Sequence, residues 1–402
     1  MSNTQTKNVP ELRFPGFEGE YSLDIFGNLA TNKSDKFNPQ NENASIDIEL
    51  DCIEQNTGRL IKIYNSKEFS SQKNKFNPQN VLYGKLRPYL NKYYFTKKSG
   101  VCSSEIWVLK STKEDKLLNL FLYYFIQTKR YSDVASKSAG SKMPRADWGL
   151  IENIRVYFPE LCEQQKIGEF FSKLDRQIEL EEQKLELLQQ QKKGYMQKIF
   201  SQELRFKDEN GNDYPDWEEK QLGEVAEIIG GGTPSTKNKL YWNGEINWFS
   251  PIEIGNKTYV YSSQKKITEE GLRKSSAKIL PVGTILFTSR AGIGKTAILA
   301  KESTTNQGFQ SIVPRKGLLD SYYVYTISNI LKILAEKVGA GSTFSEISKK
   351  QMEQLNLNIP MIKEQKNISK FFSKFDNLIE IHERKLEFLK QRKQSLLQKM
   401  FV

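Results

Sequence analysis

Two stretches of this 402-residue chain repeat each other without a gap. Residues 163–200 and 364–401 align at a shift of 201, with about 20 of the 38 positions identical. Both open on Glu-Gln, at Glu163-Gln164 and Glu364-Gln365, and both continue into Phe-Phe-Ser-Lys. The same shift pairs Ala139-Gly140-Ser141 with Ala340-Gly341-Ser342, and Pro159 with Pro360. A looser echo, at a different shift, links Glu11-Leu12-Arg13-Phe14 to Glu203-Leu204-Arg205-Phe206. Such a chain is two copies of one unit, each a variable globular part followed by a similar long segment.

The repeated segments read as helices. Neither contains proline, and apolar residues recur at 3–4 spacing through Phe171, Leu174, Ile178, Leu185, Leu188, Tyr195 and Ile199. The second copy has Phe372, Phe375, Ile379, Leu386, Leu389, Leu396 and Met400. This is a heptad stripe of the coiled-coil kind. At 1.5 Å per residue such a helix spans about 57 Å and cannot bury its stripe alone, so its simplest partner is the other copy. Glu181, Lys192, His382 and Lys393 interrupt the stripe. Polar residues there either fix the register or mark local exposure. Phe170, Leu187, Phe371 and Phe388 lie off the stripe, as candidates for contact with a partner or for ordinary packing.

The predicted domains are therefore 1–160 and 201–360, with helices over 161–200 and 361–402. Each globular part reads as α+β. Val81–Tyr83, Ile106–Leu109, Thr284–Phe287 and Ala297–Leu299 look like strands, as do Ile154–Phe158 and Leu355–Ile359 before each exit proline. Leu117–Thr128 and Ser321–Val338 look helical.

The formal charge is +12, which points toward phosphate backbones or toward a merely basic soluble protein. Basic, hydroxyl and aromatic residues interleave in the first part at Lys85, Arg87, Tyr89, Lys92, Ser141, Lys142 and Arg145. The second part has Thr233, Ser235, Thr236, Lys237 and Lys239, then Ser289, Arg290, Lys295 and Thr296, then Ser342 and Thr343. Lysine and hydroxyls suit phosphate contacts, and arginine can also grip a guanine edge; ordinary surface decoration is the alternative.

Catalytic constellations are missing. Three widely spaced cysteines and one histidine leave no zinc ligand set and no Ser-His-Asp triad; His382 lies in a charged helix, a poor place for a base. Gly292-Ile293-Gly294-Lys295-Thr296 resembles the end of a phosphate loop, but Ser289 stands where the first glycine is needed and a strand-like run follows. Asn38-Pro39-Gln40 and Asn77-Pro78-Gln79 lack the second proline and the aromatic of an adenine-methylation loop. In Pro215-Asp216-Trp217-Glu218-Glu219-Lys220 the carboxylates are too close in sequence for a nuclease metal site. Without an apolar leader or a membrane-length apolar run, the chain is expected to be cytoplasmic.

Gly231-Gly232-Thr233-Pro234-Ser235 with Tyr241–Trp248, Ser289–Ile298, Asn306–Gln310, and the exit from Gly341-Ser342 through Pro360 into Glu364-Gln365 together resemble specificity subunits of type I restriction–modification systems. The resemblance covers essentially the whole chain, although the first part lacks the Gly-Gly-Thr-Pro and Gly-Ile-Gly-Lys-Thr motifs. It implies two target-recognition domains, each reading a few base pairs in the major groove, on two antiparallel coiled-coil helices related by a pseudo-twofold repeat. The helices would act as a ruler between half-sites about one DNA turn, roughly 34–36 Å, apart. The resemblance also implies no catalytic site and no cofactor on this chain. Two methyltransferase subunits would bring S-adenosylmethionine, and a motor–nuclease subunit would bring ATP and Mg2+ chemistry. A stand-alone DNA-binding scaffold or repressor, or an enzyme with unrecognised catalytic residues, are the competing readings.

Overall fold

In the computed structural model, residues 8–38, 46–65, 71–137, 142–290, 292–339 and 346–402 are described. The chain divides into two compact units: residues 1–185 with 382–402, and residues 186–381. Each unit therefore owns part of both long helices, Leu161–Phe200 and Ile362–Met400.

Among its described residues the first unit holds two four-stranded sheets and one two-stranded sheet. In the first four-stranded sheet the order is Ala30–Thr31, Ile106–Ser111, Val81–Gly84, Tyr93–Phe95, all antiparallel. Buried side chains of Ile106–Ser111 and Val81–Gly84 pack on the helix Asn119–Phe125, whose five consecutive residues Phe121–Phe125 are all buried. Phe401, at the end of the second long helix, closes this core against Phe121 (ring centroids 4.8 Å) and Phe171 (6.2 Å). Phe171 lies near the start of the first helix, so within this unit the two helices run antiparallel.

The second unit carries a five-stranded sheet in the order Ala226–Gly230, Gln310–Pro314, Ile285–Phe287, Thr296–Leu299, Tyr259–Val260. A three-stranded sheet places Trp242–Phe249 between Lys265–Ile267 and Thr304–Thr305. Here Phe200, ending the first helix, stacks on Phe372 near the start of the second (6.3 Å), again antiparallel. The region Ser321–Val338, read as helical, forms two helices, Ser321–Thr326 and Ser328–Gly339. Ile327 between them takes ψ 9° and is buried in the core, so packing breaks a run that periodicity alone would continue.

Both units start and finish alike. Ser22–Ile25 pairs antiparallel with Arg155–Phe158, and Glu218–Gln221 pairs antiparallel with Asn356–Ile359. After the first strand of each pair comes a four-residue helix, Phe26–Leu29 or Leu222–Val225.

The repeated Glu-Gln pairs fasten each helix start to its globular part. Glu163 takes the Arg13 guanidinium side-on (Nε 2.9 Å, Nη2 2.7 Å), and Glu364 takes Arg205 in the same way (3.2 and 2.8 Å). Gln164 donates to the carbonyls of Pro159 (2.8 Å) and Lys116 (2.6 Å) and accepts from the Leu118 N–H (2.9 Å). Gln365 repeats the set with Pro360 (2.8 Å), Leu318 (2.9 Å) and the Asp320 N–H (2.9 Å). All four side chains are buried, so each needs these partners.

Candidate nucleic-acid interface

In the second unit three segments far apart in sequence meet at one end of the five-stranded sheet. Gly232 donates its N–H to the Thr305 carbonyl (2.8 Å), and its own carbonyl accepts from Trp248 Nε1 (2.8 Å). Only glycine fits beforehand: a Cβ on Gly231 would stand 2.0 Å from the Asn306 carbonyl oxygen. The Thr233 hydroxyl then hydrogen-bonds the Gln307 side-chain oxygen. From the third segment, Ser289 donates its N–H to Gly308 (2.9 Å). The turn of that hairpin is tied by Thr288, whose hydroxyl donates to the Gly292 carbonyl (2.7 Å) and accepts from the Lys295 N–H (2.9 Å). Gly292 and Gly294 have φ of 106° and 93°, a region open to glycine. Thr296 then opens a buried strand rather than a helix, so the backbone cradle of a nucleotide phosphate loop is not formed here.

This arrangement sorts the sequence candidates. Ser235, Thr236, Lys237, Lys239 and Lys295 are exposed, while Thr233 and Arg290 are half-buried at the junction. Ser289 and Thr296, also candidates for DNA contact, are buried: the Ser289 backbone joins neighbouring segments and Thr296 opens a strand of the sheet. Ser141, Ser342 and Thr343 lie outside the described residues. Gln307, exposed and held by Thr233, joins this set; its place in the Asn306–Gln310 motif is the only sign of it in the sequence.

In the first unit Lys85–Leu90 is laced to Pro144–Ala146 and to Glu105. Lys85 donates its N–H to Glu105 (3.0 Å), Arg87 to Pro144 (2.8 Å), and Ala146 to Lys85 (2.8 Å). Arg87 has φ 52°, a left-handed conformation that an L residue adopts at a cost, and it stays exposed beside exposed Tyr89. Lys85 is half-buried and Lys142 exposed. Arg145 is gripped side-on by the Glu105 carboxylate (Nε 2.9 Å, Nη2 3.1 Å). Lys92 spends its ammonium on the Leu50 carbonyl (2.5 Å). Glu105, which no basic pattern reveals, fixes the plane of Arg145.

Along the helices Phe171, Leu174, Phe372 and Leu389 are buried. Ile178, Leu185, Leu188, Phe375, Ile379 and Leu386 are half-buried. The polar stripe positions are paired rather than exposed. Lys393 bonds Asp175 (2.7 Å), which also accepts from the Tyr124 hydroxyl (3.0 Å). In the second unit Lys192 bonds Asp376, which accepts from the Tyr322 hydroxyl (2.7 Å). Glu181 meets His382 and Lys385 (2.7 Å). Burial would raise the Glu181 carboxyl, but the hydrogen bonds from Lys385 and His382 outweigh it and hold the pKa low.

Of the four off-stripe residues, two are covered by their own unit. Phe170 packs edge-on against Phe14 (5.5 Å), and Phe371 against Tyr195 (5.1 Å) and Phe206 (5.6 Å). Leu187 and Phe388 remain 53% and 60% exposed. Leu180 and Ile381 are exposed as well, seven residues before each and also 201 apart. The repeat, searched for matched apolar residues off the stripe, would have revealed them.

Among the described residues no three His, Cys, Asp or Glu side chains gather to hold a metal, and no helix is long and apolar enough to cross a membrane. The chain is thus a duplicated module: two α+β units with loop-borne cations, whose globular parts each lead into one of two similar helices. The sequence matches the type I restriction modification DNA specificity domain over residues 20–190 and 214–391, and the chain belongs to that family. It is 37% identical over 211 residues to the type I restriction enzyme MjaIX specificity subunit of Methanocaldococcus jannaschii, covering 50% of this chain and 48% of that one. To the EcoR124I/EcoR124II specificity subunit of Escherichia coli it is 36% identical over 166 residues, covering 40% of this chain and 41% of that one. The chain thus spans about half the length, or less, of these two curated relatives. The fold is shared with the S subunit of a type I restriction–modification system from M. genitalium, at a TM-score of 0.63 and 15% identity, over 98% of this chain and 99% of that one.

Proposed function

We propose that this chain is the DNA-specificity subunit of a type I restriction–modification complex, reading a two-part site without carrying out chemistry itself. The observation that carries the proposal is the duplication. Two units, each with its own loop-borne cations, are built onto two helices whose buried Glu-Gln pairs and ion-pair residues recur at a shift of 201.

In this reading each unit binds one half-site. Lys237, Lys239 and Lys295 in the second unit, and Lys85 and Lys142 in the first, neutralise phosphates and set the register. Arg87, Arg145 and Arg290 reach base edges, where a guanidinium can make paired hydrogen bonds. The helices hold the half-sites at a fixed spacing. Leu187 in the second unit and Phe388 in the first supply two equivalent apolar contacts for two methyltransferase subunits, which bind S-adenosylmethionine. A motor–nuclease subunit adds ATP- and Mg2+-dependent cleavage.

The test is adenine methylation mapped by long-read sequencing, with the chain and a cognate methyltransferase subunit expressed together and separately. The expected result is a bipartite motif with one gap length, seen only with both. Methylation by this chain alone, or none in any sample with an active methyltransferase, would overturn the proposal.

A further inference from the structure

Phe249 ends the middle strand of the three-stranded sheet, and the Asn306 N–H donates to its carbonyl at 3.0 Å. The turn after Phe249 therefore runs beside the Asn306–Phe309 loop. It is a tight 3-10 turn over Pro251–Glu253, and it is locked. Glu253 accepts from the Ser250 N–H (2.8 Å) and hydroxyl (2.7 Å) with one oxygen, and from the Gln264 N–H (2.6 Å) with the other. At its apex Ile252 is 83% exposed, more than any other large apolar side chain described.

A single exposed isoleucine is ordinary; the neighbours of this one are not. A Cβ built on Gly308 would stand 3.0 Å from Pro251 Cγ and 3.7 Å from Arg290 Nε. A Cβ on Gly255 would stand 3.3 Å from Lys295 Cδ. A rigid turn thus holds an isoleucine in water, with a guanidinium beside its start and the stem of a lysine beside its end. Cations so placed draw in a phosphate backbone. The apolar group that a DNA groove offers between phosphates is the thymine C5-methyl on the major-groove edge.

We propose that Ile252 reads a thymine in the half-site of the second unit through its C5-methyl group. This rests on the DNA-specificity reading above and assigns one base contact within it. The experiment measures methylation rates of the full chain with its methyltransferase subunits on synthetic duplexes. Each thymine of the second half-site is replaced in turn by deoxyuridine, which lacks only the methyl. The wild-type rate should fall roughly threefold to fivefold at one position, the effect of one methyl group leaving water. Ile252→Ala should be slower on the unmodified duplex and indifferent to uridine there, while Ile252→Val keeps part of the sensitivity. Uridine in the first half-site should affect all three alike. The proposal is overturned if no second-half-site thymine responds, if Ile252→Ala leaves the rate unchanged, or if it stays as sensitive to uridine as wild type. Absence of any bipartite methylation by the wild-type complex would instead sink the specificity reading itself.

Discussion

Glu364→Ala tests whether the repeated Glu-Gln pairs tie each globular part to its helix. The buried Glu364 carboxylate takes Arg205 at 3.2 and 2.8 Å and Trp217 Nε1 at 3.2 Å. Without it, Arg205 keeps only the Pro215 carbonyl (2.6 Å) and a looser contact with Asp216 (3.6 Å). Breaking a fully buried pair from one side costs about 3–5 kcal/mol. The Arg205 side chain is 19% exposed and retains an acceptor, which lowers the expected loss to about 2–4 kcal/mol. In a unit spanning residues 186–381, each kcal/mol moves Tm by about 2–4 °C, so the transition should fall by about 4–16 °C. Urea and thermal unfolding of the full chain, followed by tryptophan fluorescence and circular dichroism, read this out, with Trp217 as a local reporter. Glu364→Gln should lie between wild type and Glu364→Ala. The double variant Arg205→Ala/Glu364→Ala should lose less than the sum of the single losses. A loss below about 1 kcal/mol, or strict additivity, would refute the clamp.

Glu181→His and His382→Glu each set like groups against one another and should each cost about 1–2 kcal/mol, while the swapped double variant recovers most of it in thermal melts. Because the Glu181 pKa is depressed, its contribution is fully present above its ordinary 4.5 and is lost as pH falls through the lower folded value; Glu181→Gln should therefore remove part of the acid limb of a stability–pH profile. Gly231→Ala drives a Cβ into the Asn306 carbonyl, so methylation rates should fall at least about tenfold on duplexes that are read normally by the first unit. On the proposed function, Leu187→Asp or Phe388→Asp should each remove one methyltransferase subunit from the complex in native mass spectrometry, with stability kept within about 0.5 kcal/mol.

Much of the scaffold was legible because it obeys short-range rules. The 3–4 spacing from Phe171 to Ile199 needs only helix geometry to be read, and the strands before Pro159 and Pro360 need only alternation and a stop. The clamps were not legible. Arg13 and Glu163 stand 150 positions apart, and nothing local says that a surface-type arginine will meet a buried carboxylate. The same limit applies to the loops that carry the candidate DNA contacts. Ser289 and Thr296 look like phosphate ligands from composition, yet the hairpin turns both inward. Glu105 looks like an unfavourable charge among the candidate DNA-binding cations of the first unit until its grip on Arg145 is seen.

The pattern of identity between the two copies follows from antiparallel pairing. Asp175 and Asp376 are equivalent, as are Lys192 and Lys393, and each contact joins an aspartate of one copy to a lysine of the other. Identity at those positions is useful because unlike residues meet. Glu181 and His382 are also equivalent by the shift of 201, but they meet each other. Two glutamates at that point would bury like charges face to face, and two histidines would leave no carboxylate to receive Lys385. The copies therefore have a physical reason to be identical where equivalents pass one another and to differ where an equivalent confronts itself, and the one histidine of the chain stands at the place where they must differ.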